Sequence, residues 1–150
     1  MVLKNYVYKE NHITQNQLYD FLYANKDDGR IPLDQRVDIA EFAAKMKRNG
    51  DFFEIWQDDK IVALIVAYIN NYETKEAFIT YVRTTQIARG NGLASFLLGK
   101  VFEKCSERGF CSVSLEVDRI NSPAITLYRR TGFILSREIA DALFMKKSLS

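Results

Sequence analysis

A run suited to a buried strand, Ala77-Phe78-Ile79-Thr80-Tyr81-Val82, leads through the loop Arg89-Gly90-Asn91-Gly92-Leu93-Ala94 into a long helical pattern. The run is rich in aromatic and β-branched residues. Beyond the loop, Leu93, Phe96, Leu97, Val101 and Cys105 recur at helical spacing, while Ser95, Lys100, Glu103, Lys104 and Glu107 fall on the other side. A strand that feeds a helix through two glycines leaves several main-chain N–H groups unpaired at the positive end of the helix dipole, where phosphate oxygens bind. Gly90 and Gly92 permit unusual φ values and close ligand approach, and Arg89 adds a forked positive charge. The bland alternative is a tight turn and nothing more.

The loop is neither of two common nucleotide motifs. No Gly-Lys-Ser/Thr follows a first glycine at Walker A spacing, and Ser95 stands where a dinucleotide fingerprint would place its third glycine.

Upstream, Leu3 to Tyr8 alternates apolar and polar residues as a first strand does. Thr14, with Gln17 three residues on, opens a helix that carries Leu18, Phe21 and Leu22 and stops near Asn25. Lys26 to Pro32 is loop material, and a second helix is expected from Asp34 or Val37 to Arg48, ended by Asn49-Gly50. Phe52–Gln57 and Lys60–Asn70 flank the turn Asp58-Asp59 as an antiparallel hairpin, its second strand apolar on both faces and therefore central. Asn70 to Lys75 turns into the strand Glu76–Thr84. After the long helix, Ser112–Val117 is expected as a strand parallel to Glu76–Thr84. Ser122 and Pro123 then open a short helix ending at Thr131-Gly132, and Phe133–Arg137 with Ala142–Lys147 form a closing hairpin. An antiparallel meander entering a strand–helix–strand unit is an α+β arrangement. The 150 residues suit one domain spanning 1–150.

Charge and cysteine content narrow the function classes. A net charge of +2, with lysines and arginines scattered, argues against nucleic acid. The longest apolar run, Ile61 to Ile69, is less than half of a membrane-spanning helix, and Met1 to Tyr6 lacks the apolar core of a signal peptide. The expectation is a cytoplasmic chain with no membrane partner. Cys105 and Cys111 match no zinc or redox spacing and read as buried thiols, and a single histidine leaves little from which to build a metal site. Self-association into a homodimer is left open.

Two motifs in order carry a resemblance. Arg89-Gly90-Asn91-Gly92-Leu93-Ala94 resembles the Arg/Gln-x-x-Gly-x-Gly/Ala loop of the GNAT superfamily of acyl-CoA N-acyltransferases. Leu115-Glu116-Val117, followed by Asn121, Ala124, Leu127-Tyr128 and Gly132-Phe133, is similar to that superfamily's second signature. Thr84-Thr85-Gln86 departs from the Val-x-Pro that members often carry. The resemblance implies a GNAT-like fold: a mixed sheet of about six or seven strands with a splayed parallel pair, flanked by about four helices. It also implies acetyl-CoA as cosubstrate. Its pyrophosphate would lie on the main-chain N–H groups of Arg89, Gly90, Asn91, Gly92, Leu93 and Ala94 and on the Arg89 side chain. Its thioester arm would lie in a V-shaped slot between Glu76–Thr84 and Ser112–Val117, against the backbones of Val82 and Thr84, with Asn121 fixing the far side.

An amine attacks a thioester directly, so such a protein must take a proton from the ammonium, steady the oxyanion and protonate the departing thiolate. The resemblance implies Tyr128 as the acid at the coenzyme's sulfur; its reference pKa of ~10 is near that of a thiol at ~8.5. The alternative is a core aromatic on an amphipathic helix. Glu116 is the candidate base, since a carboxylate inside a strand of apolar and small residues is unusual and burial would raise its pKa. The chain resembles bacterial ribosomal-protein N-terminal acetyltransferases here. In these, the glutamate of a Leu-Glu-Val strand, twelve residues before the tyrosine, has that role, and Glu116 and Tyr128 keep this separation. Glu116 could instead hold a backbone amide or an arginine, leaving Glu73, Glu76 and Tyr81 as bases acting through water.

Ile31 to Arg36, with Phe42 and Lys45, loosely resembles members found among polysaccharide-building enzymes, which implies a small-molecule amine such as an amino-sugar nucleotide as acceptor. Arg30, Arg36 and Lys45 would then pair with acceptor phosphate or simply form a solvated face. A protein N-terminal acetyltransferase and a non-catalytic acyl-CoA sensor are the other classes left open.

Overall fold

The computed structural model of the chain describes residues 5–149. The first half runs β1 (Val7–Glu10), α1 (Gln15–Ala24), a 3-10 turn (Leu33–Gln35), α2 (Ile39–Asn49), β2 (Asp51–Gln57), β3 (Lys60–Tyr68) and β4 (Glu76–Thr84). After a second 3-10 turn (Gln86–Ala88) come α3 (Leu93–Glu107), β5 (Ser112–Asp118), α4 (Ser122–Arg130), β6 (Ile134–Ile139) and β7 (Ala142–Ser148).

Side chains decide where the helices begin. Thr14 and Gln17 close a reciprocal box, Thr14 Oγ1 accepting from Gln17 N at 3.1 Å and Gln17 Oε1 accepting from Thr14 N at 2.9 Å. α2 starts later than its sequence pattern suggests, because Asp38 is the residue that caps it, accepting from Glu41 N at 3.0 Å, while Leu33–Gln35 forms the 3-10 turn. Asn121, not Ser122, caps α4 and accepts from Ala124 N at 3.3 Å. Leu3 and Lys4 of the expected first strand lie outside the described residues; the strand that is described starts at Val7 and runs on to Glu10.

All seven strands join one sheet in the order β1-β2-β3-β4-β5-β7-β6. Among the described residues only β4 and β5 run parallel. Two apolar layers clothe the sheet. On one face Leu97, Leu98, Val101 and Cys105 of α3 pack with Ile65, Val113 and Leu115; on the other Leu18 and Leu22 of α1 and Met46 of α2 pack with Phe52, Leu64 and Val66. β3 feeds both layers with alternate residues, as its two apolar faces require.

Two sequence expectations change here. Phe96 is exposed and meets Tyr8 edge-on at 5.6 Å, and Leu98 takes its place in the core, because the seat of α3 on the sheet sets the buried stripe. Cys105 is buried but Cys111 is exposed: Gly109, at φ +76°, turns the chain so that Phe110 occupies the inward position. Among the described residues no helix is long and apolar enough to cross a membrane.

Candidate active site

Pairing between β4 and β5 ends early. Glu76–Ile79 sit opposite Ser112–Leu115, and the two strands part beyond that point. Thr80 is an extra residue in β4, since Ile79 faces Ala67 of β3 while Tyr81 faces its neighbour Val66. A bulge bends a strand and increases its twist. The bend carries Tyr81–Thr84 away from β5 while they stay on β3, where Val82 faces Ile65 and Thr84 faces Ala63. Glu116–Asp118 stay on β7, opposite Phe144–Ala142. A V-shaped slot results, and the cleft it opens into has a volume of about 1610 Å³.

Glu76 pins the closed end of the V. Its carboxylate accepts from Ser114 Oγ at 2.8 Å and Ser112 Oγ at 3.4 Å and pairs with Lys146 Nζ at 2.9 Å; Lys146 foremost holds its pKa below the usual carboxylate range. Neither Glu76 nor Glu73 lines the cleft, so neither is placed as a base. Tyr81 lines it, but burial raises the pKa of its hydroxyl, which therefore stays protonated and is no base either.

At the open end the chain passes through the turn Gln86–Ala88 into the glycine loop. Gly90 and Gly92 have φ of +82° and +73°, a region side chains rarely enter. A Cβ at either would meet nothing within 4 Å, so backbone shape and not crowding calls for glycine, and the space above is open to a ligand. Gly92 is the N-cap of α3 and supplies no side-chain cap. Because Phe96 N donates to Gly92 O at 3.0 Å, the amides of Leu93, Ala94 and Ser95 precede the first intrahelical bond. Arg89 is exposed beside them, its Nε donating to Thr84 O at 3.4 Å. Asn91 Nδ2 donates to the carbonyls of Ala88 and Arg89 at 2.9 and 3.3 Å, fastening the loop. Arg89, Gly90, Gly92, Leu93 and Ala94 line the cleft with Val82 and Thr84; Asn91 does not.

The opposite wall carries Glu116, Asn121 and Tyr128. Glu116 is exposed, contrary to the burial expected of it, because the departure of β4 leaves that face of β5 uncovered. Among the described residues it makes no ion pair and holds neither an arginine nor an amide. Asn121 lines the cleft but spends its side-chain oxygen on the α4 cap. Tyr128 is buried with its ring edge-on to Phe133 at 5.7 Å, and burial pushes its pKa up to about 12. The hydroxyl thus keeps its proton over a wider pH range than the match to a thiol's pKa suggests, and is a weaker acid.

Further side chains complete the site: Arg30, singled out by the sequence, and Asp28, Arg83 and Asp118, which it did not single out. The strap between α1 and α2 crosses the slot, with Asp28 paired to Arg83 of β4 and Arg30 Nε donating to Asp118 Oδ2 of β5 at 2.7 Å. Arg30 Nη2 also lies 3.6 Å from Asp141 Oδ2 in the β6–β7 turn. Beyond Glu76 at its start, β4 is otherwise apolar and hydroxyl residues, so Arg83 shows the same anomaly that marked Glu116 and could have been found by it. Arg36 lines the cleft, whereas Lys45 lies over the Tyr68 ring at 5.9 Å. Among the described residues no group of three or more His, Cys, Asp or Glu could hold a metal ion. An uncapped helix start, open left-handed glycines and two strand edges freed from each other together suit an anion followed by a narrow extended arm.

A model of the acetyltransferase (GNAT) family matches residues 16–133. Among solved structures, a GNAT-family protein from Desulfovibrio desulfuricans superposes with a TM-score of 0.79 at 13% identity, over 97% of this chain and 99% of its own. The ribosomal-protein-S18-alanine N-acetyltransferase of Escherichia coli superposes at 0.77 and 20% identity, over 97% and 94%. PaiA N-acetyltransferase of Thermoplasma acidophilum, in complex with coenzyme A, does so at 0.76 and 15% identity, over 95% and 99%. No curated protein matches the chain significantly. At such identities the structural likeness establishes fold.

Proposed function

The chain belongs to the acetyltransferase (GNAT) family, and on that premise we propose that it acetylates a small-molecule primary amine, such as an amino-sugar nucleotide, by direct attack within a ternary complex. The observation that carries this reading is the parting of β4 from β5 beyond Ile79 and Leu115, directly beside the uncapped start of α3. Bound acetyl-CoA supplies the thioester. Arg89 and the first-turn amides of α3 hold its diphosphate, and the freed edge of β4 at Val82 and Thr84 orients the arm by main-chain hydrogen bonds.

Glu116 takes the proton from the acceptor's ammonium, which frees the amine nitrogen to attack the thioester carbonyl. Its support is position: an exposed carboxylate on the slot wall, uncommitted to any cation among the described residues. Tyr128 keeps its O–H at every ordinary pH and donates it to the sulfur as negative charge develops there. Asn121 acts on Tyr128 through the α4 cap and is a positioning residue.

A small acceptor is favoured by the strap, which is tied to both arms of the slot, at Arg83 of β4 and at Asp118 of β5, and so lies across the path a bound peptide would take. The second reading, a protein N-terminal acetyltransferase, draws on the Glu116–Tyr128 separation and on the likeness to the S18-alanine enzyme. Thiol release from acetyl-CoA, screened against aminated sugar nucleotides, polyamines, aminated antibiotics and short peptides, tests the proposal. Saturable release with a small amine is expected. Release with peptides alone would establish the second reading, and coenzyme binding without release to any amine would leave a sensor.

A further inference from the structure

The two ties of the strap differ in kind. Arg30, Asp118 and Asp141 keep 39%, 29% and 76% of their side-chain surface exposed, as surface pairs do. The Arg83 side chain is only 16% exposed, and its partner Asp28 is 38% exposed on a strap that continues into Gly29. Arg83 Nε is buried without a hydrogen-bond partner among the described residues. An arginine remains charged in proteins, and its planar fork accommodates two oxygens of one oxyanion.

Around this fork positive charge is in excess. Burial is the largest influence holding the pKa of Arg83 below the usual arginine range; Asp28 opposes it and Arg89 adds to it. Two guanidinium groups therefore sense each other across a region in which one strap carboxylate answers Arg83. The face is also the right one. Arg83 lies opposite Leu64, whose side chain is in the α1–α2 layer, and Glu116 and Asp118 alternate with Leu115 and Val117 of the α3 layer. Arg83 and Glu116 thus share one side of the slot, on its two arms.

We infer that Arg83 anchors the acceptor: the amine carries a carboxylate or phosphate that takes the place of Asp28 on the Arg83 fork, so that Asp28 is the stand-in for that group in the free protein. This rests on the acetyl-transfer reading above. The exchange is physically easy, because the Asp28 carboxylate is already near water and returns to it, while Arg83 stays fixed on β4. Arg30 continues to tether the strap at Asp118 after Asp28 has left.

The test uses matched acceptors: an amino acid against its methyl ester for the carboxylate, and a hexosamine phosphate against the free hexosamine for the phosphate. At saturating acetyl-CoA, KM for at least one anionic member should be about tenfold or more below that of its neutral partner, as one charge-assisted contact implies. Arg83→Gln should erase the difference, Arg83→Lys should keep a reduced one, and Asp28→Asn should enlarge it by removing the competing carboxylate. Equal KM within both pairs, or a preference unchanged in R83Q, would overturn the anchor; if R83Q does not fold, a preference unchanged in both R83K and D28N does so instead. If neither these amines nor any in the wider screen above release thiol, the acetyl-transfer reading fails by itself. Calorimetric titration of inorganic phosphate and of acetate into the coenzyme-loaded protein then decides the anchor: heat that is lost in R83Q or R83K supports it, and no heat overturns it.

Discussion

Tyr128 and Arg89 stand on opposite walls of one cleft and should fail in different ways. Tyr128→Phe removes a donor used only as charge develops on sulfur, so turnover should drop about 100-fold while calorimetry finds coenzyme affinity nearly unchanged. Arg89→Ala should weaken coenzyme binding about tenfold, with turnover at saturation largely retained. Equal losses in both variants would contradict the assignment. The raised pKa of Tyr128 has a definite sign. Folding favours the protonated phenol, so this contribution to stability is complete below pH ~10 and is lost as pH climbs toward 12. An alkaline loss of activity that sets in below pH 10 should therefore persist in Y128F. Glu54 shows a different residue-scale dependence. It is fully buried and accepts from His12 N at 2.9 Å, Ile13 N at 3.1 Å and Trp56 Nε1 at 2.9 Å. Glu54→Gln turns an all-acceptor group into one that must also place two donors. A loss of about 2 kcal/mol is expected, read as a lower denaturant midpoint at constant m-value.

At the scale of elements, helix starts separate stability from function. Thr14→Ala opens the box at α1 and should cost about 1 kcal/mol while coenzyme affinity holds, since α1 packs in a different core layer from α3, whose start forms part of the glycine loop. Gly92→Ala forces a side chain into left-handed backbone at the start of α3. It should cost about 1–2 kcal/mol and, unlike Thr14→Ala, weaken coenzyme binding, because the first-turn amides turn with the backbone. A thermal melt beside a coenzyme titration of both variants would show the contrast. Both starts are legible in the chain, as are the hairpin at Asp58-Asp59, where both residues adopt positive φ, and the full extent of β4. The bulge at Thr80 is not: nothing within Phe78–Val82 marks the extra residue, which exists only relative to the register of β3.

For the molecule as a whole, the sheet is held together at one end of the β4–β5 pair and open at the other, and the closed end depends on pH. Lys146 foremost, with Ser114, holds the Glu76 pKa below its ordinary 4.5, so the stability it adds is present above that value and is lost as pH falls through the lower folded value. Arg30 does the same for Asp118 below its ordinary 3.8. The Glu76 and Lys146 side chains are 39% and 45% exposed, which limits their pair to about 1 kcal/mol or less. Lys146→Gln should accordingly lower Tm slightly at pH 7 and flatten its decline between pH 5 and 3. A steeper decline would show that Glu76 is not the group responsible. The order of elements, the α+β class, the caps at Thr14 and Asn25 and the glycine loop belonged to the sequence alone, because each depends on residues a few positions apart whose geometry the chain carries with it. The place where β4 leaves β5, the insertion of β7 beside β5, the exposure of Glu116 and Cys111 and the partners of Arg83 and Arg30 were decided by tertiary structure. Arg30 and Asp118 are 88 residues apart. Whether such groups meet, and whether water reaches them, depends on how strands align and where the sheet parts, and no local pattern records that.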